Sequence, residues 1–372
     1  MKVAYFAHEL ADPAVRKRAQ MLEAGGCAVS LLGFERAREA PSARKSTGHV
    51  LGHTRNQRML ARVASVVLAI PRALRVKSLW RDADFFIARN LEMLVLVTVL
   101  TRIARPNARI IYECLDIHRL TLSTGIVGVT IRAVERACLR GCALIVTSSP
   151  AFERNYFRTA QRFGGEIVLV ENKVLDSTPP PPPPLLADDP PWIIAWCGVL
   201  RCRRSFGVLR ELASASKGRV QVRLWGAPAL DQIPDFHDLV AATPGMTFRG
   251  RYEPEQLAGI YAASHFAWAI DFYEAGGNSD WLLPNRLYES LAFGAVPIAM
   301  AGNETSLWLS GRRVGKVLDA PIEKSLGPFF AGLTPDLFRS LRAAVLQLDP
   351  DLTRFTPAVC RALIQRLAGS PA

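Results

Sequence analysis

The side chains best suited to chemistry are clustered in one stretch of the chain, Glu274–Met300. Arg286 is predicted to lie in the first turn of a short helix, where free backbone N–H groups and the helix dipole favour a bound phosphate. Asn285 and Glu289 are four residues apart, so their side chains project from one face of that helix. A carboxylate can accept hydrogen bonds from two vicinal hydroxyls, as on a ribose. The spacing therefore indicates a nucleotide-sugar site; the alternative is a surface helix whose charges are merely solvated.

Prolines, glycines and apolar runs define the elements that hold this helix. Gly276 and Gly277 predict a flexible turn before it. Pro284 suits the first turn of a helix, and Gly294 suits the left-handed residue that closes one. The apolar run Ala295–Met300 predicts a buried strand, and its proline indicates a place near a sheet edge or at the start of the strand.

A second group of cations follows the strand predicted at Trp192–Cys197. Gly198 comes directly after this strand, and three arginines share the loop that follows: Arg201, Arg203 and Arg204. Guanidinium groups near a glycine at the end of a strand suit a diphosphate, because each can donate two parallel hydrogen bonds. A solvated basic loop is the alternative.

The start of the chain predicts a parallel sheet. A strand at Lys2–Ala7, a helix at Val15–Ala24 and a strand at Cys27–Leu32 form a right-handed βαβ unit. Ligands of such sheets bind beyond the carboxyl ends of the strands. His8 and Glu9 follow the first strand and are predicted to line a cleft, with ordinary polar loop residues as the alternative.

A carboxylate and an imidazole follow another predicted strand, Ala108–Cys114. Asp116 and His118 come within a few residues of its end, where ligands of a parallel sheet bind. The alternative for Asp116 is a structural role as the N-cap of the next helix.

Two further predictions concern the same half of the chain. The polar segment Arg36–Thr54 is predicted to be a loop. The segment Val127–Leu139 is predicted to be a helix with its charged residues outside, namely Arg132, Glu135, Arg136 and Arg140.

The segment Arg55–Arg81 is basic and amphipathic. It contains no acidic residue and seven basic ones: Arg55, Arg58, Arg62, Arg72, Arg75, Lys77 and Arg81. Pro71 is predicted to break it into two helices or to kink one. It is too charged to span a bilayer, which needs about 20 apolar residues. Ending in Trp80, it suits an anionic membrane surface, or it is an ordinary helix with a solvated basic face.

Composition sets the size and class of the protein. The 372 residues predict two domains, and 49% hydrophobic residues are enough for two cores. The net charge of +13 fits solubility alone or an anionic partner such as nucleic acid, a membrane surface or a small molecule. The seven cysteines form no CxxC pair, which supports neither a zinc site nor a disulfide framework. The chain opens on a strand rather than a signal peptide, so we expect a cytoplasmic protein.

The spacing of the Glu274–Met300 stretch is similar to that of a known family. The positions concerned are Pro284, Arg286, Glu289, Ala292, Gly294 and Pro297. They resemble the donor-binding segment of GT-B glycosyltransferases related to family 4 and to exopolysaccharide enzymes. The runs FAHELADPAVRKRAQML and YECLDIHRL resemble glucosyltransferases of succinoglycan-type exopolysaccharide assembly.

The resemblance implies an α/β protein of the GT-B fold, with two Rossmann-like domains facing across a cleft. Residues 1–175 would form the acceptor-binding domain and residues 192–350 the nucleotide-sugar-binding domain. A proline-rich linker, 176–191, would join them. The helix in 351–372 is predicted to cross back to the first domain.

The resemblance also implies roles for single residues. The predicted donor-binding residues are Gly198, Arg201, Asn285, Arg286 and Glu289. Asp116 is predicted to be the general base, with His8 and His118 at the acceptor or in the cleft. We expect no metal and no cofactor, since no DxD pair stands where a metal-dependent enzyme would need it. UDP-glucose is the expected donor. A polyprenyl-diphosphate-linked saccharide at the inner face of the cytoplasmic membrane is the expected acceptor, which makes the protein peripheral to an anionic membrane.

Several alternatives stay open. In the broader family a second Glu often stands where this chain has Trp281, which favours inversion of the sugar over retention. A sugar-nucleotide epimerase of the same fold would share the donor site. A non-catalytic basic binding protein, or a silent partner subunit, is the other class. Nucleic acid is not expected as a partner, because no binding module is recognisable.

Overall fold

The computed structural model describes residues 1–36, 48–54, 59–175 and 186–369. Arg55 and Arg58 of the basic segment and the proline run Pro179–Pro184 lie outside the described residues. The chain forms two compact units. The first unit is Met1–Glu171 with Phe355–Ala372, and the second unit is Asn172–Arg354.

The strands alternate with helices along most of the chain, which is typical of parallel sheets. The strands are β1 (Lys2–Ala7), β2 (Ala28–Arg36), β3 (His49–Thr54), β4 (Phe85–Arg89), β5 (Ile110–Cys114), β6 (Cys142–Thr147), β7 (Glu166–Leu169), β8 (Val174–Leu175), β9 (Trp192–Leu200), β10 (Val220–Pro228), β11 (Met246–Phe248), β12 (Phe266–Trp268), β13 (Val296–Met300), β14 (Lys316–Leu318) and β15 (Arg354–Phe355).

The helices are α1 (Pro13–Ala24), α2 (Met59–Arg75), α3 (Leu91–Ala104), α4 (Arg119–Leu122), α5 (Ile126–Leu139), α6 (Pro150–Phe152), α7 (Arg203–Ala215), α8 (Phe236–Ala241), α9 (Leu257–Ala262), α10 (Asn278–Trp281), α11 (Asn285–Ala292), α12 (Glu304–Arg312), α13 (Ile322–Ala331), α14 (Pro335–Leu346) and α15 (Pro357–Ala368). A π-helix at Glu153–Phe157 continues α6.

The first unit contains a parallel sheet in the order β3-β2-β1-β4-β5-β6-β7. Its central strands β1, β4 and β5 are buried along nearly their whole length. Continuous burial is expected where helices cover both faces of a sheet. The strand order reverses between β1 and β4, so this is the point where an α/β sheet forms a ligand crevice.

The second unit repeats this architecture in a sheet of the order β11-β10-β9-β12-β13-β14, again with parallel pairs. Here the order reverses between β9 and β12. Its main core joins both helix layers around Trp192, Trp196 and Trp268, which are fully buried. The crevice expected for a ligand therefore lies beyond the carboxyl ends of β9 and β12.

One local prediction for the first half was wrong, and two others can be made more exact. The segment predicted as a loop contains β3, an edge strand paired with β2. Helix α2 continues through Pro71, which excludes the predicted alternative of two separate helices. Pro71 removes the hydrogen bond to the carbonyl of Val67, and since both residues are exposed, water can replace the missing donor. In the second half, the turn predicted at Gly276 is present, and it leads into a short helix, α10, that was not predicted.

Trp80 is not the exposed membrane anchor that the amphipathic pattern suggested. Its side chain is fully buried, its Nε1 donates to the carbonyl of Ala73 at 2.9 Å, and its ring meets Phe86 edge to face. Trp80 therefore fixes the end of α2 to the sheet.

The last helix, α15, packs on α1 within the first unit. The packing is close, because a Cβ at Gly25 would lie 2.9 Å from the carbonyl oxygen of Cys360 and 2.5 Å from Ile364. Arg109 at the start of β5 donates to the carbonyl of Leu367 at 2.7 Å.

A buried ionic cluster lies where the first sheet reverses its order. Glu113 of β5 is 1% exposed and accepts from Nε of Arg18 at 2.5 Å and from Nη1 of Arg89 at 3.2 Å. The Tyr5 hydroxyl donates to the same carboxylate at 2.7 Å. Burial raises the pKa of Glu113, but Arg18, Arg89 and the hydroxyl outweigh it, and the net pKa lies below its ordinary value.

We expect Glu113→Gln to lower the free energy of unfolding by about 3–5 kcal/mol, because the change leaves the buried Arg18 without its carboxylate and leaves Arg89 only the more distant one of Asp12, at 3.8 Å. Urea unfolding measures the loss. Glu153→Gln is the matched control, since its partner Arg158 is 38% exposed and such pairs contribute at most about 1 kcal/mol. The stability that Glu113 provides should be complete above its unfolded pKa and fall as pH drops through its lower folded pKa. Equal losses in the two variants would show that the cluster contributes no more than a surface pair.

Candidate active site

The neighbouring strands β9 and β10 each carry a glycine near the carboxyl end. Gly198 and Gly226 are paired in the sheet and have φ of 118° and 129°, which L side chains rarely adopt. A Cβ at Gly226 would lie 1.8 Å from the carbonyl oxygen of Gly198. Only glycine fits at these two positions. The backbone near the ends of both strands therefore carries no side chain there, just before the loop that contains Arg201.

Arg201 lies against the segment that follows β12. Its guanidinium is 4.2 Å from the ring centroid of Tyr273, which is 40% exposed. Arg204 is held differently: it stacks on Phe272 and donates two hydrogen bonds to Glu323, at 2.8 and 3.1 Å. In the part of the chain that the structure describes, Arg201 forms no ion pair. Its charge is therefore available to an anionic ligand, whereas that of Arg204 is neutralised.

Arg286 reaches the same segment from the start of α11. Helix α11 begins after Pro284, as predicted, and Nη2 of Arg286 donates to the carbonyl of Ile270 at 3.0 Å. Its Nε is buried without a hydrogen-bond partner among the described residues. A buried guanidinium N–H normally has an acceptor, so this atom can donate to a group that the described residues do not supply. Arg201 and Arg286 thus both contact the segment 270–273, at Tyr273 and at Ile270 respectively.

Glu289 lies one turn further along α11 and is half-buried, while Asn285 at the helix start is exposed. The hydroxyl of Tyr261, a fully buried residue of α9, donates to Oε2 of Glu289 at 3.4 Å. Burial raises the pKa of the Cys197 thiol to about 12, and the negative charge of Glu289 adds to that rise. Burial and then Glu289 likewise raise the pKa of Tyr252. The carboxylate therefore lies near a thiol and two tyrosine hydroxyls that favour their protonated forms.

In the first unit, His8 lies at the point where the sheet order reverses. It follows β1, and its Nδ1 is 3.2 Å from the side-chain amide nitrogen of Asn90, which follows β4. Asn90 has a φ of 69°, in the left-handed region that is uncommon outside glycine. The amide can donate to Nδ1 only if that nitrogen carries no proton. This contact holds two polar side chains at the expected ligand crevice.

Asp116 and His118 follow β5, the strand next to β4. Asp116 is exposed, and it is not the N-cap that the structural alternative assigned to it. The N-cap of α4 is His118, whose Nδ1 accepts the backbone N–H of Leu120 at 3.2 Å. That bond occupies one imidazole nitrogen. The capping alternative for Asp116 is therefore wrong.

Glu135 is a correction to the predicted outer face of α5. It is 2% exposed and accepts from the hydroxyls of Tyr112, at 2.7 Å, and Tyr156, and from the amide of Gln161. Burial raises the pKa of Glu135 despite these donors. The remaining charged residues of α5 are basic.

Several residues of the two crevices were not predicted. Asn90, Tyr261 and Tyr273 each contact a predicted site residue, but none belongs to a charged or glycine-rich pattern. The positive φ of Asn90 could have been suspected, because asparagine tolerates that conformation better than most residues do. The predicted site residues fall into two groups: His8, Asp116 and His118 in the first unit, and Gly198, Arg201, Asn285, Arg286 and Glu289 in the second.

Comparison with known proteins identifies the family. No protein-family model matches the chain. The succinoglycan biosynthesis protein ExoL of Rhizobium meliloti is 41% identical over 376 aligned positions, which cover 99% of this chain and 93% of that protein.

Solved structures share the fold at low sequence identity. Sucrose-phosphate synthase from Thermosynechococcus elongatus matches with a TM-score of 0.71 at 15% identity, covering 98% of both chains. HepE of Anabaena in complex with UDP matches with a TM-score of 0.68 at 14% identity, covering 99% of this chain and 100% of that one. WaaG, a glycosyltransferase of lipopolysaccharide biosynthesis, matches with a TM-score of 0.64 at 11% identity, covering 99% and 100%.

These matches confirm the predicted GT-B fold and the predicted resemblance to succinoglycan-type enzymes. The two parallel sheets, each with a reversal of strand order, are the Rossmann-like units of that fold. The chain belongs to the family of the succinoglycan biosynthesis protein ExoL.

Proposed function

We propose that this protein is a glycosyltransferase of exopolysaccharide biosynthesis. It transfers a hexose from a nucleotide sugar, namely the glucose of UDP-glucose, to a lipid-linked saccharide. The observation that carries the proposal is that Arg201 and Arg286 both contact the segment 270–273, with Glu289 one helical turn beyond Arg286. Two cations near a helix N-terminus suit a diphosphate, and a carboxylate one turn away suits a ribose. The name of the ExoL relative supports the pathway, and the UDP and UDP-glucose complexes of HepE support the donor.

The arginines would act on the leaving group. As the bond between the anomeric carbon and the diphosphate oxygen breaks, negative charge grows on the departing UDP. Arg201, Arg286 and the first N–H groups of α11 would stabilise that charge. These groups supply the positive charge from the protein itself, so the proposed mechanism uses no metal and no cofactor.

Asp116 would act on the acceptor. The acceptor hydroxyl oxygen forms the new bond to the anomeric carbon while its proton passes to the Asp116 carboxylate. Attack opposite the leaving group inverts the anomeric configuration. His118 is a weaker candidate for the base, because its Nδ1 already accepts the N–H of Leu120. His8, held by Asn90, would orient the acceptor.

The proposed acceptor is a saccharide on polyprenyl diphosphate, which resides in the cytoplasmic membrane. Among the described residues, no helix is both long and apolar enough to cross a bilayer. We propose that the protein binds the inner, anionic face of that membrane as a peripheral protein.

Glu289→Ala tests the donor site. We expect the UDP-glucose Kd to rise about 100-fold, because two charge-assisted hydrogen bonds to the ribose hydroxyls contribute about 3 kcal/mol together. Calorimetric titration and the thermal shift on adding UDP-glucose measure the change.

Two controls sharpen this test. Glu255→Ala removes an exposed carboxylate of the same unit and should leave the Kd unchanged. The 2′-deoxyribose analogue of UDP-glucose should bind the wild type more weakly than UDP-glucose does. Its Kd should differ less between the wild type and Glu289→Ala. A Glu289→Ala protein that keeps the wild-type Kd would remove Glu289 from the site.

A further inference from the structure

The outer face of α5 exposes aliphatic side chains in a continuous stripe. Ile126 is 87% exposed, Val127 and Val129 are each 53% exposed, and Val134 is 42% exposed. Thr130, Ala133 and Ala137 continue the exposed face. Folded proteins expose single aliphatic residues routinely, but a contiguous group along a helix marks an interaction surface.

The charges of this helix have one sign at the surface. Its single acidic residue, Glu135, points inward to Tyr112 and Tyr156. Arg136 and the neighbouring Arg140 are exposed, and Arg132 is half-buried. The stripe is therefore apolar toward the helix start and positive toward its end.

Neighbouring helices of the first unit also expose aliphatic side chains. Helix α5 packs on α3, and α3 packs on α2. Val67 and Leu68 of α2 are 58% and 59% exposed, and the sequence of α2 contains no acidic residue. Ile103, at the end of α3, is 59% exposed. Several exposed aliphatic residues thus occur in neighbouring helices of the first unit.

We propose that the outer face of α5, with Ile126 and Val127 at its amino-terminal end, inserts into the headgroup region of an anionic phospholipid bilayer. Aliphatic side chains would enter the boundary with the acyl chains, and the exposed Arg140 would contact lipid phosphates, while Arg132 and Arg136 donate to backbone carbonyls and add positive charge. A protein partner is less well matched, because the exposed charges of α5 are all basic.

The position of α5 fits the acceptor chemistry, and this step rests on the proposed function. Helix α5 starts ten residues after Asp116, and Arg132 ties it to the intervening segment by donating to the carbonyls of Thr121 and Ser123, at 2.5 and 2.7 Å. A bilayer on this face would keep the lipid of the acceptor embedded while its sugar extends toward Asp116.

The test is sedimentation of the full chain with vesicles of phosphatidylcholine alone or with phosphatidylglycerol. The wild type should bind the anionic vesicles, and raised salt should weaken that binding. The double variant Ile126→Ser, Val127→Ser should lower the partition coefficient at least about tenfold, since two aliphatic groups no longer leave water. The matched control is Leu307→Ser, Leu346→Ser, which changes two residues of the second unit that are 62% and 60% exposed and should bind like the wild type.

Each outcome separates this inference from the proposed function. Equal vesicle binding by Ile126→Ser, Val127→Ser and wild type would overturn the inference. So would a wild-type dimer that the variant converts to monomer in light scattering, since the stripe would then join two copies. The variant should keep the wild-type thermal shift with UDP-glucose. If UDP-glucose shifts the melting temperature of neither the wild type nor any variant, the donor assignment is contradicted. The vesicle result can still be interpreted in that case.

Discussion

Asp116→Asn should lower the rate of sugar transfer by about 10²–10⁴-fold, the usual contribution of a positioned general base. Asparagine keeps the shape of the side chain but cannot take the proton of the acceptor hydroxyl. Because Asp116 is exposed after β5 and His118 caps α4 instead, the change should leave the fold intact. Donor binding should be unchanged, because the proposed donor residues belong to the second unit.

The test measures kcat at saturating UDP-glucose and the Kd for UDP-glucose, both for Asp116→Asn and for the wild type. Asp82→Asn, an exposed aspartate of the same unit, is the control and should transfer at the wild-type rate. If Asp116→Asn transfers sugar nearly as fast as the wild type, Asp116 is not the base. A product with retained anomeric configuration would also exclude Asp116 as the base.

Arg286→Ala should lower kcat/KM for the nucleotide sugar by about 10²–10³-fold, as expected for the loss of one donor to the charge that develops in the transition state. Arg286 holds the carbonyl of Ile270 with Nη2 and still has a buried Nε without a partner among the described residues. Lysine cannot bind the carbonyl and a phosphate in the same geometry, so Arg286→Lys should restore little of the activity.

Arg204→Ala is the control for a general loss of positive charge. Arg204 is paired with Glu323 at the surface, so its removal should change kcat/KM little. Equal losses in Arg204→Ala and Arg286→Ala would show that net charge near the loop matters and that the placement of Arg286 does not.

Helix α11 and the strand after it could be predicted because their signals are local. Pro284 and Gly294 mark the ends of α11, and the spacing of Asn285 and Glu289 fixes one helix face within two turns. The strands β1, β9 and β13 are apolar runs that are buried on both faces, so pattern alone located them. Such features depend on neighbours within a few residues.

The remaining features depend on distant partners. Glu135 is buried because Tyr112 and Tyr156 donate to it from other elements, and helix periodicity cannot foresee such donors. Trp80 is buried because its ring packs against Phe86 of the sheet and its Nε1 donates to the carbonyl of Ala73. The contact of Arg201 with Tyr273 joins residues far apart in the chain. Strand β3 was missed because an edge strand, HVLGHT, carries too few apolar residues to stand out.

The most direct measurement of the central claim is the transfer of radiolabel from UDP-[¹⁴C]glucose to an organic-extractable product by the purified protein with membrane lipids. We predict labelled lipid with the wild type, and little or none with Glu289→Ala or Arg286→Ala under the same conditions. If the label stays with the nucleotide for wild type, with UDP-glucose and with every other nucleotide sugar supplied, the protein is not the transferase proposed.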